Sequence, residues 1–221
     1  MLLLIALGMA TLSAAQTQSK NSAASTKWLF SYDDSRAYSA GTPDVRTDPR
    51  FHRLLVQNLH QQAFFWNQPA PVWKVAETFL GVGSGGLKVK EHRYAIIDGC
   101  VRHMCPDYEG FLWVDTDPKN DEVLFVALTA IPGEGINGTS PSLFHLWIFG
   151  NRNLRQDFVD NESLPDQFLY PMQDWIDKTG GRHVVSAMFV GPDGKLIPLL
   201  PRSLHLPDFQ AATEVTAKEQ Q

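Results

Sequence analysis

RYAIIDGCVRHMCPDYEGFLWVDTDPKNDEVLFVALT, residues 93–129, is the stretch that decides the fold. It contains three runs rich in apolar and β-branched residues: Arg93–Asp98, Glu109–Asp115 and Glu122–Thr129. Such runs read as strands. Between the second and third stands Asp117-Pro118-Lys119-Asn120-Asp121, where Pro, Asn and Asp favour a tight turn. Strands joined by connections this short pair antiparallel, because a parallel crossover needs about a dozen residues or more.

Working outward, the N-terminal side reads as helix. Asp48–Phe65 places Phe51, Leu54, Leu55, Leu59, Gln62 and Ala63 on one face. Thr47 is the expected cap, Pro49 suits the first turn, and Asn67-Gln68-Pro69 ends the element. Pro71–Phe79 reads as a shorter helix or an extended approach to the sheet, and Gly81–Gly86 as a turn. On the C-terminal side Leu143–Phe149 is a fourth strand. Phe168, Leu169, Met172, Trp175 and Ile176 have helical spacing, but Pro171 breaks continuity, so the helix is expected over Pro171–Lys178 with Gly180-Gly181 after it. His183–Val190 and Lys195–Leu199 read as a hairpin around Gly191-Pro192-Asp193-Gly194. The expected fold class is α+β, an antiparallel β-sheet flanked by helices, in a single domain over residues 27–207.

The ends differ from this core. Leu2–Leu12 is almost wholly apolar and Ser13-Ala14-Ala15 supplies small residues for signal peptidase, so residues 1–15 read as a secretory signal cleaved after Ala15. A membrane anchor is the alternative, but the run is far short of the roughly 18–20 residues that span a bilayer. Residues 16–26 form a polar, flexible leader and residues 208–221 a flexible tail. The expected localisation is periplasmic or secreted. The formal net charge is −5, which argues against nucleic acid as partner and suits a cationic one.

Within the deciding stretch lies Cys100-Val101-Arg102-His103-Met104-Cys105, which holds both cysteines of the chain. In an oxidising compartment two cysteines this close become a disulfide by default. The four-residue interval is not the thioredoxin-like redox spacing. No second ligand cluster accompanies the pair, so no metal and no cofactor is expected. A plain structural staple explains the cysteines without employing His103, although so small a ring gains little chain entropy. The stapled loop would present Arg102 and His103 to a partner.

Other patterns are weaker. Gly81–Gly86 lacks the Gly-Lys-Ser/Thr ending of a phosphate loop, and Ser84 lacks the glycine two positions before it that a nucleophile elbow requires. Asp115, Asp117, Asn120, Asp121 and Glu122 have the composition of a calcium loop without its spacing, which leaves a solvated hairpin tip. His103 with Asp107 or Glu109 composes a hydrolase site on paper. His52, His60, His92, His145, His183 and His205 are scattered and read as ordinary surface or core residues. Asn137-Gly138-Thr139 and Asn161-Glu162-Ser163 match the glycosylation sequon, which matters only in a eukaryotic source.

Residues 47–130 resemble the Ivy family, bacterial periplasmic inhibitors of vertebrate-type lysozyme. The family hallmark is a Cys-Lys-Pro-His-Asp-Cys loop after a strand. Here Cys100, His103 and Cys105 stand at matching positions, and Val101, Arg102 and Met104 replace Lys, Pro and Asp. Phe51–Phe65 stands where the family has an amphipathic helix. Pro71-Val72-Trp73 resembles its Leu-Pro-Ala-Trp-Val segment, and Tyr94–Gly99 resembles its strand entering the loop. The resemblance implies an Ivy-like fold, a non-enzymatic role and a c-type lysozyme as partner. It further implies insertion of Val101, Arg102, His103 and Met104 into the lysozyme cleft. Family members can dimerise, so a homodimer belongs among the expectations. A secreted hydrolase, or an envelope protein of the same fold without inhibitory activity, are the competing readings.

Overall fold

A computed structural model describes residues 26–34, 44–65, 67–83, 86–131, 142–154, 164–178 and 182–207. The expected signal, the tail, both sequons and all of the leader except Thr26 lie outside the described residues. The elements in chain order are α1 (Pro49–Asn58), β1 (Gln62–Phe65), β2 (Gln68–Pro71), α2 (Val72–Phe79), β3 (Lys88–Lys90), β4 (Tyr94–Cys100), β5 (Tyr108–Asp115), β6 (Val123–Ala130), β7 (Ser142–Gly150), α3 (Asp166–Asp177), β8 (Arg182–Val190) and β9 (Leu196–Leu199). Short 3-10 turns cover Thr26–Tyr32, Val45–Thr47 and Pro201–Leu204. The class is α+β, as the sequence implies.

The seven strands β3 to β9 form one sheet in sequence order. Every neighbouring pair is antiparallel except β7 and β8, which run parallel. This departs from the all-antiparallel expectation. The connection from Gly150 to Arg182 contains α3 and is long enough for a crossover, so the rule that forces antiparallel pairing on short turns does not reach it. β1 and β2 form a separate two-stranded ribbon. The edge strand β3 is short and carries Lys88 and Lys90, a pattern that discourages edge-to-edge association.

The sheet is buried on both faces, and the two-residue alternation of strand side chains sorts the core into two halves. Ala95, Ile97, Leu112, Val114, Val123, Phe125 and Ala127 face one side, under α1, α2 and the ribbon. Tyr94, Ile96, Phe111, Trp113, Leu124, Val126 and Leu128 face the other, against Phe168, Leu169, Met172, Trp175 and Ile176 of α3. Each such large side chain contributes about 1.5–3 kcal/mol by leaving water.

Two helices depart from the sequence reading. α1 stops at Asn58, and the expected continuation to Phe65 is instead strand β1. Gln61 explains the change. Buried, it donates from Nε2 to the carbonyls of Gly150 (3.1 Å) and Val190 (3.4 Å), anchoring the ribbon to the ends of β7 and β8. The cap is Asp48, not Thr47. Its carboxylate accepts from the Arg50 backbone N–H at 2.8 Å. The Arg50 guanidinium and then the Tyr32 hydroxyl hold that carboxyl far below its ordinary range. α3 runs straight through Pro171. Burial of Phe168 and Leu169 before the proline, and of Met172, Trp175 and Ile176 after it, offsets a local cost of about 3 kcal/mol.

Candidate functional site

The loop between β4 and β5 is built on a close approach of helix to sheet. Gly99 and Gly110 stand opposite each other in the β4–β5 ladder. A Cβ on Gly99 would lie 2.8 Å from the Val82 carbonyl oxygen, and one on Gly110 would lie 2.9 Å from the Phe79 Cβ. The missing side chains let the end of α2 settle onto the sheet. The following Val82 then exchanges two backbone hydrogen bonds with Cys100, at 3.0 and 2.8 Å. Arg46 braces the same strand, with Nη2 donating to the Asp98 carbonyl at 2.9 Å and Nη1 to the Asp44 carboxylate. Sequence reading missed this foundation. Two glycines at facing positions inside apolar strands were the signal, since they mark a close backbone approach.

On this base stands the stapled loop. Cys100 and Cys105 are joined by a disulfide with their Cα atoms 5.5 Å apart. The Val101 N–H donates to the Tyr108 carbonyl (2.9 Å), the Met104 N–H to the Val101 carbonyl (2.9 Å) and the Tyr108 N–H to the Met104 carbonyl (3.0 Å). The second of these bonds closes a turn with Arg102 and His103 at its corner. His103 has φ of 66°, in the left-handed region that costs a residue with a Cβ about 1–2 kcal/mol. The Cys105–Pro106 peptide bond is cis.

The loop residues divide into root and tip. Val101 is 8 % exposed and belongs to the core on the α1–α2 side, so it anchors the loop instead of facing outward. Arg102, His103, Met104, Cys105, Pro106 and Asp107 are exposed in succession. Among the described residues neither the Arg102 guanidinium nor the His103 imidazole has a side-chain partner. The tip thus offers a cation, an imidazole with both nitrogens available and a polarisable thioether, all on backbone held by a disulfide and three hydrogen bonds.

The residues of the hydrolase alternative are not drawn together. Glu109 forms an ion pair and hydrogen bond with Arg182, whose side chain is 4 % exposed against 14 % for Glu109. That pair lies on the α3 side of the sheet, where the Arg182 guanidinium stands 5.7 Å from the Phe144 ring centroid. Asp107 is exposed, and its carbonyl accepts from the Ala130 N–H. No hydrogen bond joins His103 to either carboxylate.

Several of the remaining candidates are accounted for by local structure. Asp115 is 1 % exposed, not the solvated tip residue expected of the β5–β6 turn. The Arg93 guanidinium grips its carboxylate through Nε (2.8 Å) and Nη2 (2.6 Å), where a calcium loop would hold its ion. Among the described residues no group of three His, Cys, Asp or Glu side chains could hold a metal. His52 meets Glu77 at 2.5 Å on the surface, His145 bonds the Ser186 hydroxyl at 2.6 Å between β7 and β8, and His205 packs against Tyr170. Ser84 and Gly85 lie outside the described residues; Val82 and Leu87 beside them form isolated bridges. No described helix is long and apolar enough to cross a membrane.

No protein-family model matches this chain, and neither a curated protein nor a solved structure does.

Proposed function

We propose that this chain is a periplasmic or secreted inhibitor of c-type lysozyme of the Ivy kind, acting by insertion of the Cys100–Cys105 loop into the enzyme's cleft. One observation carries the reading. The disulfide-closed tip holds an unpartnered, solvent-facing His103 on ordered backbone, at the end of a sheet buried on both faces. A retaining glycosidase of this type works with two carboxyl groups about 5–5.5 Å apart, one protonated and one ionised. A neutral imidazole donates from one nitrogen to the carboxylate and accepts at the other from the carboxylic acid. Seated between them it occupies both catalytic groups and blocks the sugar site.

The surroundings suit that task. Backbone already ordered before binding lowers the entropy lost on association. Arg102 sets a positive charge beside the imidazole for a carboxylate at the cleft, and Met104, 37 % exposed, supplies adaptable apolar contact. The net charge of −5 favours encounter with a cationic enzyme. The hydrolase alternative has less support, because Glu109 is committed to Arg182. The test is a cell-wall lysis assay of a c-type lysozyme with increasing amounts of this protein. Stoichiometric loss of lysis is expected; full lysis at excess protein leaves the non-inhibitory envelope reading in its place.

A further inference from the structure

We infer that the partly open cavity between the β1–β2 ribbon and the β8–β9 hairpin is a binding site for a small, uncharged aromatic molecule of about two fused rings. The cavity measures 290 Å³. Its walls carry the rings of Phe64, Phe65, Trp147 and Phe149 together with Val190 and Leu196. Phe65, Phe149 and Val190 are buried, whereas Phe64 and Leu196 are 69 % and 54 % exposed. The two exposed side chains come from different walls, one from β1 and one from β9. An apolar cavity of about 150 Å³ already accepts benzene, so this one has room for roughly two such rings.

The chemistry of the lining selects the ligand class. Among the described residues no charged side chain lines the cavity, so a charged ligand would lose its hydration with no described partner in return. The Gln62 amide, the Trp147 indole N–H and backbone groups such as those of Gly194 belong to the described lining residues, enough to orient one polar substituent of a neutral molecule. The wall rings already meet edge-on, Phe65 with Trp147 at 6.0 Å between centroids, and a flat guest can stack or meet edges among them. A flat guest gains dispersion contacts with the wall rings on both of its faces and displaces water from apolar surface.

The site is distinct from the loop. Phe149, Val190 and Leu196 lie at the end of the strands opposite to Cys100 and Tyr108, so lysozyme inhibition and ligand binding are separately testable. The experiment titrates the purified protein with prodan, an uncharged naphthalene fluorophore whose emission shifts blue in apolar surroundings. The expected result is a saturable one-to-one blue shift, displaced by naphthalene and not by decanoate. Phe64→Asp and Leu196→Asp each set an unpaired charge at the mouth and should weaken binding about tenfold or more. Both replaced side chains are solvent-facing, so thermal unfolding of the variants should match the parent; if one variant unfolds early, the other carries the comparison. A shift that never saturates, equal binding by the folded variants, or displacement by decanoate alone would overturn the inference.

Discussion

Replacing Arg182 by methionine tests how the loop-bearing end of the sheet is held together. Arg182 reaches from the first residue of β8 to Glu109, the β5 residue that stands opposite Cys100. Both side chains are nearly buried, at 4 % and 14 % exposure. Removing one member of a buried pair costs about 3–5 kcal/mol, because the other charge is left without its partner. Glu109 keeps slight access to water, and the methionine chain still covers Phe144, so the lower end applies, about 3 kcal/mol. With a urea slope of about 2 kcal/mol per molar, the unfolding midpoint should fall by roughly 1.5 M. Combining Arg182→Met with Glu109→Leu removes both charges and should return stability to within about 1 kcal/mol of the parent. Equilibrium urea unfolding of the parent, both single variants and the double variant closes the cycle. A single-variant loss below about 1 kcal/mol, or a double variant that simply sums the two singles, would show that the buried pair does not couple β5 to β8. The double variant should still inhibit lysozyme, whereas a hydrolase relying on Glu109 would lose activity.

Further outcomes follow from the same structure. Replacing Cys100 and Cys105 together by serine should cost about 2 kcal/mol, the chain-entropy value for a six-residue ring, while circular dichroism stays native because the backbone of Cys100 remains bonded to Val82. Acid should weaken the β5–β6 turn: burial pushes the Asp115 carboxyl up, but the Arg93 guanidinium, the Asp117 N–H and the Asn120 amide outweigh it and hold it below its ordinary 3.8. A carboxyl lowered on folding adds stability that is fully present above that value and is lost as pH falls toward the folded value, so Asp115→Asn should flatten the decline of stability measured between about pH 5 and pH 2. Gly99→Ala forces a Cβ to within 2.8 Å of the Val82 carbonyl and should cost about 1–3 kcal/mol, read as a lower unfolding midpoint.

Strands β4 to β9 were legible because their signals are local, whereas β1, β2 and β3 were not read as strands. Asp117–Asp121 and Gly191–Gly194 punctuate apolar runs, and the observed strands β4 to β9 fall within two residues of the expected ends. The end of α1 was not legible. Gln62 and Ala63 continue the helical spacing, no Gly or Pro interrupts Leu59–Gln61, and the decision rests on Gln61 reaching carbonyls in β7 and β8. The parallel β7–β8 pair was hidden for a related reason: strand order across a long connection depends on where α3 packs, which no short pattern records. At the loop, the close spacing of the cysteines together with the secretory reading of the first fifteen residues announced the disulfide and the outward tip. They did not announce that Val101 turns inward, that Val82 supports Cys100, or that Arg182 claims Glu109. Each of those is a contact between residues distant in sequence.

The measurement that bears most directly on the proposed function is a calorimetric titration of a c-type lysozyme with the parent protein and with His103→Ala. Tight one-to-one binding by the parent is expected. The variant should lose about 2–4 kcal/mol, roughly 30- to 1000-fold in Kd, with unfolding unchanged because His103 is exposed and unpartnered among the described residues. Equal, tight binding by both would contradict the imidazole's role as the plug, and no binding by the parent would contradict the inhibitor reading itself.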